Sequence, residues 1–328
     1  MSLLEAAALC ARCPSLCAPA CPAAIGADRP GFEPRDLMLA AATGDSLASH
    51  LCTGCGACSE ACHVDVPVAD LLRHRRAAQR QFGDLRAGDD NALAQPEGWL
   101  RVSGGKGLTW LVARCGCGAP GHDEAALRAA LRRQGRDRVV VVSGLDCGRR
   151  AFEAGAVAAF QALGEVIAPA LDHVRTLVVA GEACARSLRR HQDAQRLAAL
   201  HVALLDDWLA RFGVRLPGGA VRLPPCQRTP ATAGSPALSP CFPAAPACCG
   251  GQGRLVEVAP AVSEAAGLDL LRRLEGRTER PLLYVADATC AAHLRQIART
   301  HSVQVEVVDR ASVWLSGCDA SSDPGTVG

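Results

Sequence analysis

Aromatic side chains are scarce in this chain of 328 residues, which has one Tyr, six Phe and four Trp. The core must therefore be built mostly from Ala, Leu and Val. An excess of one charge sign is missing too, with 35 Lys and Arg against 33 Asp and Glu and a net charge of +2. That balance provides no bulk field to attract nucleic acid or anionic lipid, so only local basic faces could serve either role. Long apolar runs are also lacking: the best, Ala154 to Gly164, lies between two glutamates and falls short of the roughly 18 residues of a spanning helix. Glu5 stands where a signal peptide would carry positive charge, and no clear cleavage site follows. No glycine fingerprint of a dinucleotide fold follows a strand candidate, and "GGKGLT" (104–109) lacks phosphate-loop spacing, which argues against a nicotinamide or flavin on this chain. The expectation is a soluble, cytoplasmic protein with no nucleic-acid partner and no integral membrane segment, compatible with peripheral membrane association.

What the chain has in abundance is cysteine, 18 in all. In a reducing compartment thiols are not kept as structural disulfides, so clustered cysteines point to metal binding or redox chemistry. Two runs dominate the first 80 residues: Cys10, Cys13, Cys17 and Cys21, followed by Pro22, and then "CTGCGACSEACH" (52–63) with Cys52, Cys55, Cys58 and Cys62. Cysteines at spacings of two wrap three thiolates around one face of a cubane, while the fourth reaches the other cluster. The spacing thus predicts two interleaved [4Fe-4S] clusters, one on Cys10, Cys13, Cys17 and Cys62 and one on Cys52, Cys55, Cys58 and Cys21. Gly54 and Gly56 suit close approach of backbone N–H groups to sulfur. Zinc would leave the third cysteine of each run unused, a haem attachment would need one residue fewer, and a lone dithiol would leave the neighbouring cysteines unexplained. His63 replaces the proline usual after such a run, and since that proline binds no iron, no ligand is lost.

Three zones separate along the chain. Residues 1–82 read as an α-helical module, with Pro34 to Ala48 helix-compatible and Val68 to Gln81 a basic helix whose Arg73, Arg75, Arg76 and Arg80 form either a solvated or a docking face. Residues 83–105 read as a linker. From residue 106, apolar runs at 109–113, 139–142, 176–180, 282–286 and 303–308 alternate with helical patterns at 123–134, 151–164 and 291–300, which predicts α/β layers on buried parallel sheets. Eight prolines without periodicity mark 217–246 as a loop, and 317–328 as a tail completes the chain.

The N-terminal layout resembles the α-helical ferredoxin module of the iron–sulfur subunits of glycolate oxidase, anaerobic glycerol-3-phosphate dehydrogenase and heterodisulfide reductase, departing from it in the three-residue middle gap of the first run. Further on, "LPPCQRTP", "PACCGGQG" and "VADATCAAHL" resemble the cysteine-rich CCG domain of the same proteins. Carried over, that resemblance implies a metal site at Cys226, Cys248, Cys249 and Cys290, holding a further iron–sulfur cluster or zinc. His293, where the fullest family form has a second cysteine, is either a fifth ligand or a solvent-facing residue. The family has two such repeats, 106–215 and 216–316 here, and the first reads as degenerate. Cys147 stands for its opening cysteine, Cys184 for its closing one, and "APALDH" (168–173) for the lost CCG. One complete metal site is then expected rather than two. Cys147 and Cys184 are equally explicable as buried small hydrophobes, Cys115 and Cys117 are candidate extra ligands, and Cys241 and Cys318 are bystanders.

The fold class expected is therefore α plus α/β. The resemblance implies an electron-transfer subunit linking a partner flavoprotein dehydrogenase to a quinone, thiol/disulfide or protein acceptor. Two rivals stand beside it: a catalytic disulfide reductase acting through the CCG site, and a zinc-stabilised scaffold.

Overall fold

The computed structural model describes residues 1–81, 100–103, 108–193, 197, 199–223, 248–275 and 281–320. The first zone is helical throughout: α1 (Leu3–Ala11), α2 (Pro22–Ala27), α3 (Pro34–Ala42), α4 (Ala57–Glu60) and α5 (Val68–Gln81). Local chemistry starts these helices. Ser2 and Glu5 form a reciprocal capping box on α1, and prolines whose missing N–H costs nothing open α2 and α3. Helix α3 stops at Ala42, short of the expected Ala48, as Gly44 adopts a left-handed φ of +106°.

Two sheets follow. The first, in the order β1-β3-β2-β4-β5, joins β1 (Arg101–Ser103), β2 (Thr109–Arg114), β3 (Val139–Ser143), β4 (Thr176–Val179) and β5 (His201–Leu204). Only β1 runs antiparallel, so the end of the expected linker belongs to the sheet. Helices α6 (Glu124–Arg133), α7 (Arg149–Ala154), α8 (Val157–Leu171) and α9 (Glu182–Asp193) connect these strands, and α10 (Leu205–Arg211) follows β5. The second sheet is parallel, with β6 (Val221–Leu223), β7 (Leu282–Val285) and β8 (Glu306–Val308) in that order. Its helices are α11 (Leu255–Val258), α12 (Pro260–Arg272), α13 (Ala288–Thr300) and α14 (Arg310–Ala320).

Both faces of the larger sheet are buried, which explains why its strands read as continuous apolar runs. Trp110, Val112, Val140, Val142 and Leu177 pack with Leu163 and Ile167 of α8 on one face. Leu111, Ala113, Val141 and Val178 pack on the other with Leu127 of α6, Leu209 of α10 and Trp314 of α14. Helix α14 thus covers the first sheet from the far end of the chain, and it runs to Ala320, into the segment expected to be a tail.

The helix expected at 151–164 is two helices. Gly155, at φ +75°, breaks it where the turn meets α5 so closely that a Cβ there would lie 2.5 Å from the Ala77 nitrogen. The α2–α12 contact is equally close, with a Cβ on Gly26 placed 2.0 Å from the Val262 carbonyl oxygen. The helical module is in this way packed directly against both α/β halves. Among the described residues no helix is long and apolar enough to cross a membrane.

Candidate functional site

Seven of the eight N-terminal cysteines pack into the core of the helical module, and Cys13 is half-buried beside them. Cys10 lies in the last turn of α1, Cys21 caps α2, Cys58 lies in α4 and Cys62 follows it. One small cavity is walled by Cys21, Cys52, Cys55 and Cys58 together with Pro34, Leu37, Val68 and Leu72. The thiols of the two runs influence one another, Cys58 being raised by burial and by Cys52, Cys55, Cys21 and Cys17. Burial also raises Cys10, with Cys62 and Cys13 adding to it, and Cys17, to about 11, with Cys10, Cys13 and Cys62 adding to it. Burial likewise raises Cys21, with Cys55 and Cys52 adding to it. A buried thiol in so apolar a wall resists ionisation until a metal takes its proton's place. The Gly54 N–H donates to Cys52 Sγ at 3.3 Å, the kind of backbone bond that tunes cluster thiolates.

Two arginines adjoin this cavity, Arg76 buried and Arg186 half-buried. Arg76 is only 2% exposed although it belongs to the basic helix expected to face solvent or a partner. Its guanidinium lies beside Cys52 and Glu153, while Arg186 donates to the Gly54 carbonyl oxygen at 3.3 Å. Arg73 of the same helix stacks on Phe152, opposite Arg190. No periodicity could have singled out Arg76, since only the packing of α7 against α5 closes over it.

The CCG segment meets this module. Gly253 packs so tightly that a Cβ on it would lie 2.3 Å from the Thr53 carbonyl oxygen. Cys248 lies beside Cys55 and Cys249, and Cys249 beside Cys290, so four thiols run in a chain from the second cysteine run into α13. All four are buried. Gly251 N–H donates to Cys249 Sγ at 3.3 Å, and Gln252 Nε2 donates to both Cys290 Sγ at 3.3 Å and Asp287 Oδ1 at 3.0 Å. His293 is half-buried, and its ring bonds to the backbone of Ser263, at 3.4 Å, and of Cys249. Cys226 and Cys241 lie outside the described residues, and Cys318 falls in α14.

The half expected to be worn down gathers four cysteines of its own. Cys115, Cys117, Cys147 and Cys184 place their sulfurs all within 4.8 Å of one another. They follow the carboxyl ends of β2, β3 and β4, three neighbouring parallel strands. Cys147 follows β3, the edge-side neighbour of β2, after which Cys115 and Cys117 come. "APALDH" begins inside α8, away from the strand ends.

Comparison with known proteins bears on one segment. Residues 6–66 match the family described as a 4Fe-4S dicluster domain. No curated protein and no solved structure matches the chain significantly. The N-terminal segment is accordingly an iron–sulfur module that binds 4Fe-4S clusters, a class that serves electron transfer.

Proposed function

We propose that this chain is the iron–sulfur electron-transfer subunit of an oxidoreductase, related to the glycolate oxidase and heterodisulfide reductase type. In this reading Cys10, Cys13, Cys17 and Cys62 hold one [4Fe-4S] cluster, and Cys21, Cys52, Cys55 and Cys58 hold the other. Each cluster, when bound, takes up and releases one electron at a time. The observation that carries the reading is the contact between Cys55 and Cys248, which puts a ligand of the second cluster directly against the CCG thiols. Electrons from a flavoprotein partner would cross the module and leave through Cys248, Cys249 and Cys290 toward a quinone, disulfide or protein acceptor.

A two-repeat origin for the α/β region draws support from matched details. "VVAGEACA" (178–185) and "YVADATCA" (284–291) each end a strand and open a helix with a cysteine. Gly148 after Cys147 and Gly250 after Cys249 share left-handed φ values of +74° and +76°. Three residues beyond each closing cysteine, Ser187 bonds to the Cys147 carbonyl oxygen at 2.6 Å and His293 to the backbone of Cys249.

Disulfide reduction is the second reading, favoured by the run of Cys248, Cys249 and Cys290 beside Cys55. Two electrons delivered singly, with two protons, would convert one acceptor disulfide to two thiols. Iron, zinc and acid-labile sulfide per chain, with EPR before and after dithionite on anaerobically purified protein, test the reading. About eight iron and eight sulfide are expected for two cubanes. Zinc without sulfide would overturn it in favour of a scaffold. Disulfide-dependent oxidation of a reduced viologen then separates catalysis from electron relay.

A further inference from the structure

We infer that Cys115, Cys117, Cys147 and Cys184 form a mononuclear tetrathiolate site for one divalent metal ion, zinc or iron(II), separate from the clusters and from the CCG thiols. Spacing decides between an ion and a cluster. A tetrahedral ion with metal–sulfur bonds of about 2.3 Å holds its sulfurs about 3.8 Å apart. The four sulfurs here lie within 4.8 Å, with Cys117 and Cys184 at 3.6 Å. A cubane binds each thiolate at a separate iron corner and needs a wider frame. Among the described residues no other group of three or more Cys, His, Asp or Glu side chains converges in this way.

The backbone is built for the convergence. Gly116 separates the first two cysteines, and its bare α-carbon lets the turn lie on the loop after β3. A Cβ there would stand 2.7 Å from the Gly144 carbonyl oxygen. Gly116 N–H donates to the Leu145 carbonyl oxygen at 2.9 Å, which brings Cys115 and Cys117 beside Cys147. Ser187 then ties α9, and with it Cys184, to the Cys147 carbonyl oxygen.

Three of the four thiols are buried and Cys115 is half-buried, and a cation lies against them. The Arg149 side chain lies next to Glu153 and then to Cys117, Cys184 and Cys147, and its Nε and Nη1 have no hydrogen-bond partner among the described residues. A tetrathiolate of a divalent ion is net negative, and this guanidinium, shared with Glu153, contributes opposing charge. Glu153 and Asp146 are the nearby carboxylates, and Asp146 is turned to the Gly148 N–H at 2.7 Å. With four protein ligands and no open position, the role is structural: the ion would clamp the ends of three strands.

The test uses the full chain, purified anaerobically. Metal analysis should find about one zinc or iron per chain beyond the cluster iron, with no matching extra sulfide. Cys117→Ser and Cys184→Ser should each remove that ion and leave cluster EPR and sulfide unchanged, whereas Cys290→Ser should keep it. If the serine variants fail to fold, zinc-edge X-ray absorption of the wild type, or Mössbauer spectroscopy where the ion is iron, reads the site directly. A four-sulfur shell without a neighbouring metal, or a mononuclear tetrathiolate iron component, supports the inference. No ion beyond the clusters, an ion retained in Cys117→Ser, or sulfide lost together with it overturns the inference without touching the electron-transfer reading.

Discussion

Asp287 accepts the backbone N–H of Glu182 at 2.7 Å through Oδ2, joining the helix that carries Cys290 to the helix that carries Cys184. Its Oδ1 meanwhile caps α13 through the N–H groups of Thr289 and Cys290, at 2.9 and 3.0 Å, and takes Gln252 Nε2 at 3.0 Å. Ala288 N–H returns to the Ala180 carbonyl oxygen at 3.2 Å. One carboxylate thus starts one helix, seals the beginning of another and orients the amide that bonds Cys290.

Replacing Asp287 by alanine removes the cap and strands two buried donors, at a combined cost of about 3 kcal/mol. Asp123→Ala is the control, since that residue caps only the exposed start of α6 and should cost about 1 kcal/mol. Urea unfolding of both variants under anaerobic conditions measures the difference.

Gly253→Ala should destabilise by about 2–4 kcal/mol, since left-handed strain adds to a clash with the Thr53 backbone. Gly219, at φ +79° with nothing near its Cβ position, should cost only about 1–2 kcal/mol when changed to Ala. Beyond stability, the Gly253 variant should slow electron transfer from the clusters to the CCG thiols, because the loop carrying Cys248 must lift from Cys55. Stopped-flow reduction followed by acceptor-driven reoxidation would show whether only the second phase slows.

Arg76 places a buried positive charge beside Cys52. Such a charge favours the reduced, more negative cluster, so Arg76→Met should shift the potential of the cluster on Cys52 downward by tens of millivolts. Potentiometric EPR titration reads this directly. An unchanged potential for both clusters would count against Cys52 as a ligand.

Burial holds the His122 imidazole below its usual value; Asp309 opposes that shift and Arg295 reinforces it. The unfolded chain binds a proton as pH falls through the ordinary histidine range near 6.5, while the folded chain does so only at lower pH. His122 therefore contributes a loss of stability as pH drops from about 7 toward the lowered value. His122→Gln should flatten the stability curve in that window, as measured by unfolding midpoints at several pH values.

Much of this architecture was legible in local patterns. The runs at 109–113, 139–142, 176–180 and 282–286 mark strands β2, β3, β4 and β7 because both faces of those strands are buried, and Val68 to Gln81 is the helix its pattern suggests. Strands β5 and β6 carry exposed His201 and Arg222 among their buried positions and so do not read as continuous apolar runs. The break at Gly155 answers to α5, a partner about 80 residues earlier in the chain. Arg76 reads as surface in a basic helix and is interior only through α7.

The two N-terminal cysteine runs follow from the chain alone, since residues three and four apart stay close in any compact turn. The alternation of strands and helices follows from it as well, because burial on two faces imposes its own composition. Tertiary structure decided which distant cysteines meet. Cys117 and Cys184 stand 67 residues apart in the chain, and they touch only because β3, β2 and β4 lie side by side and parallel, with their carboxyl ends on one edge. The same packing set Cys248 against Cys55, since Gly253 lets the CCG loop approach the Thr53 backbone more closely than any side chain would allow.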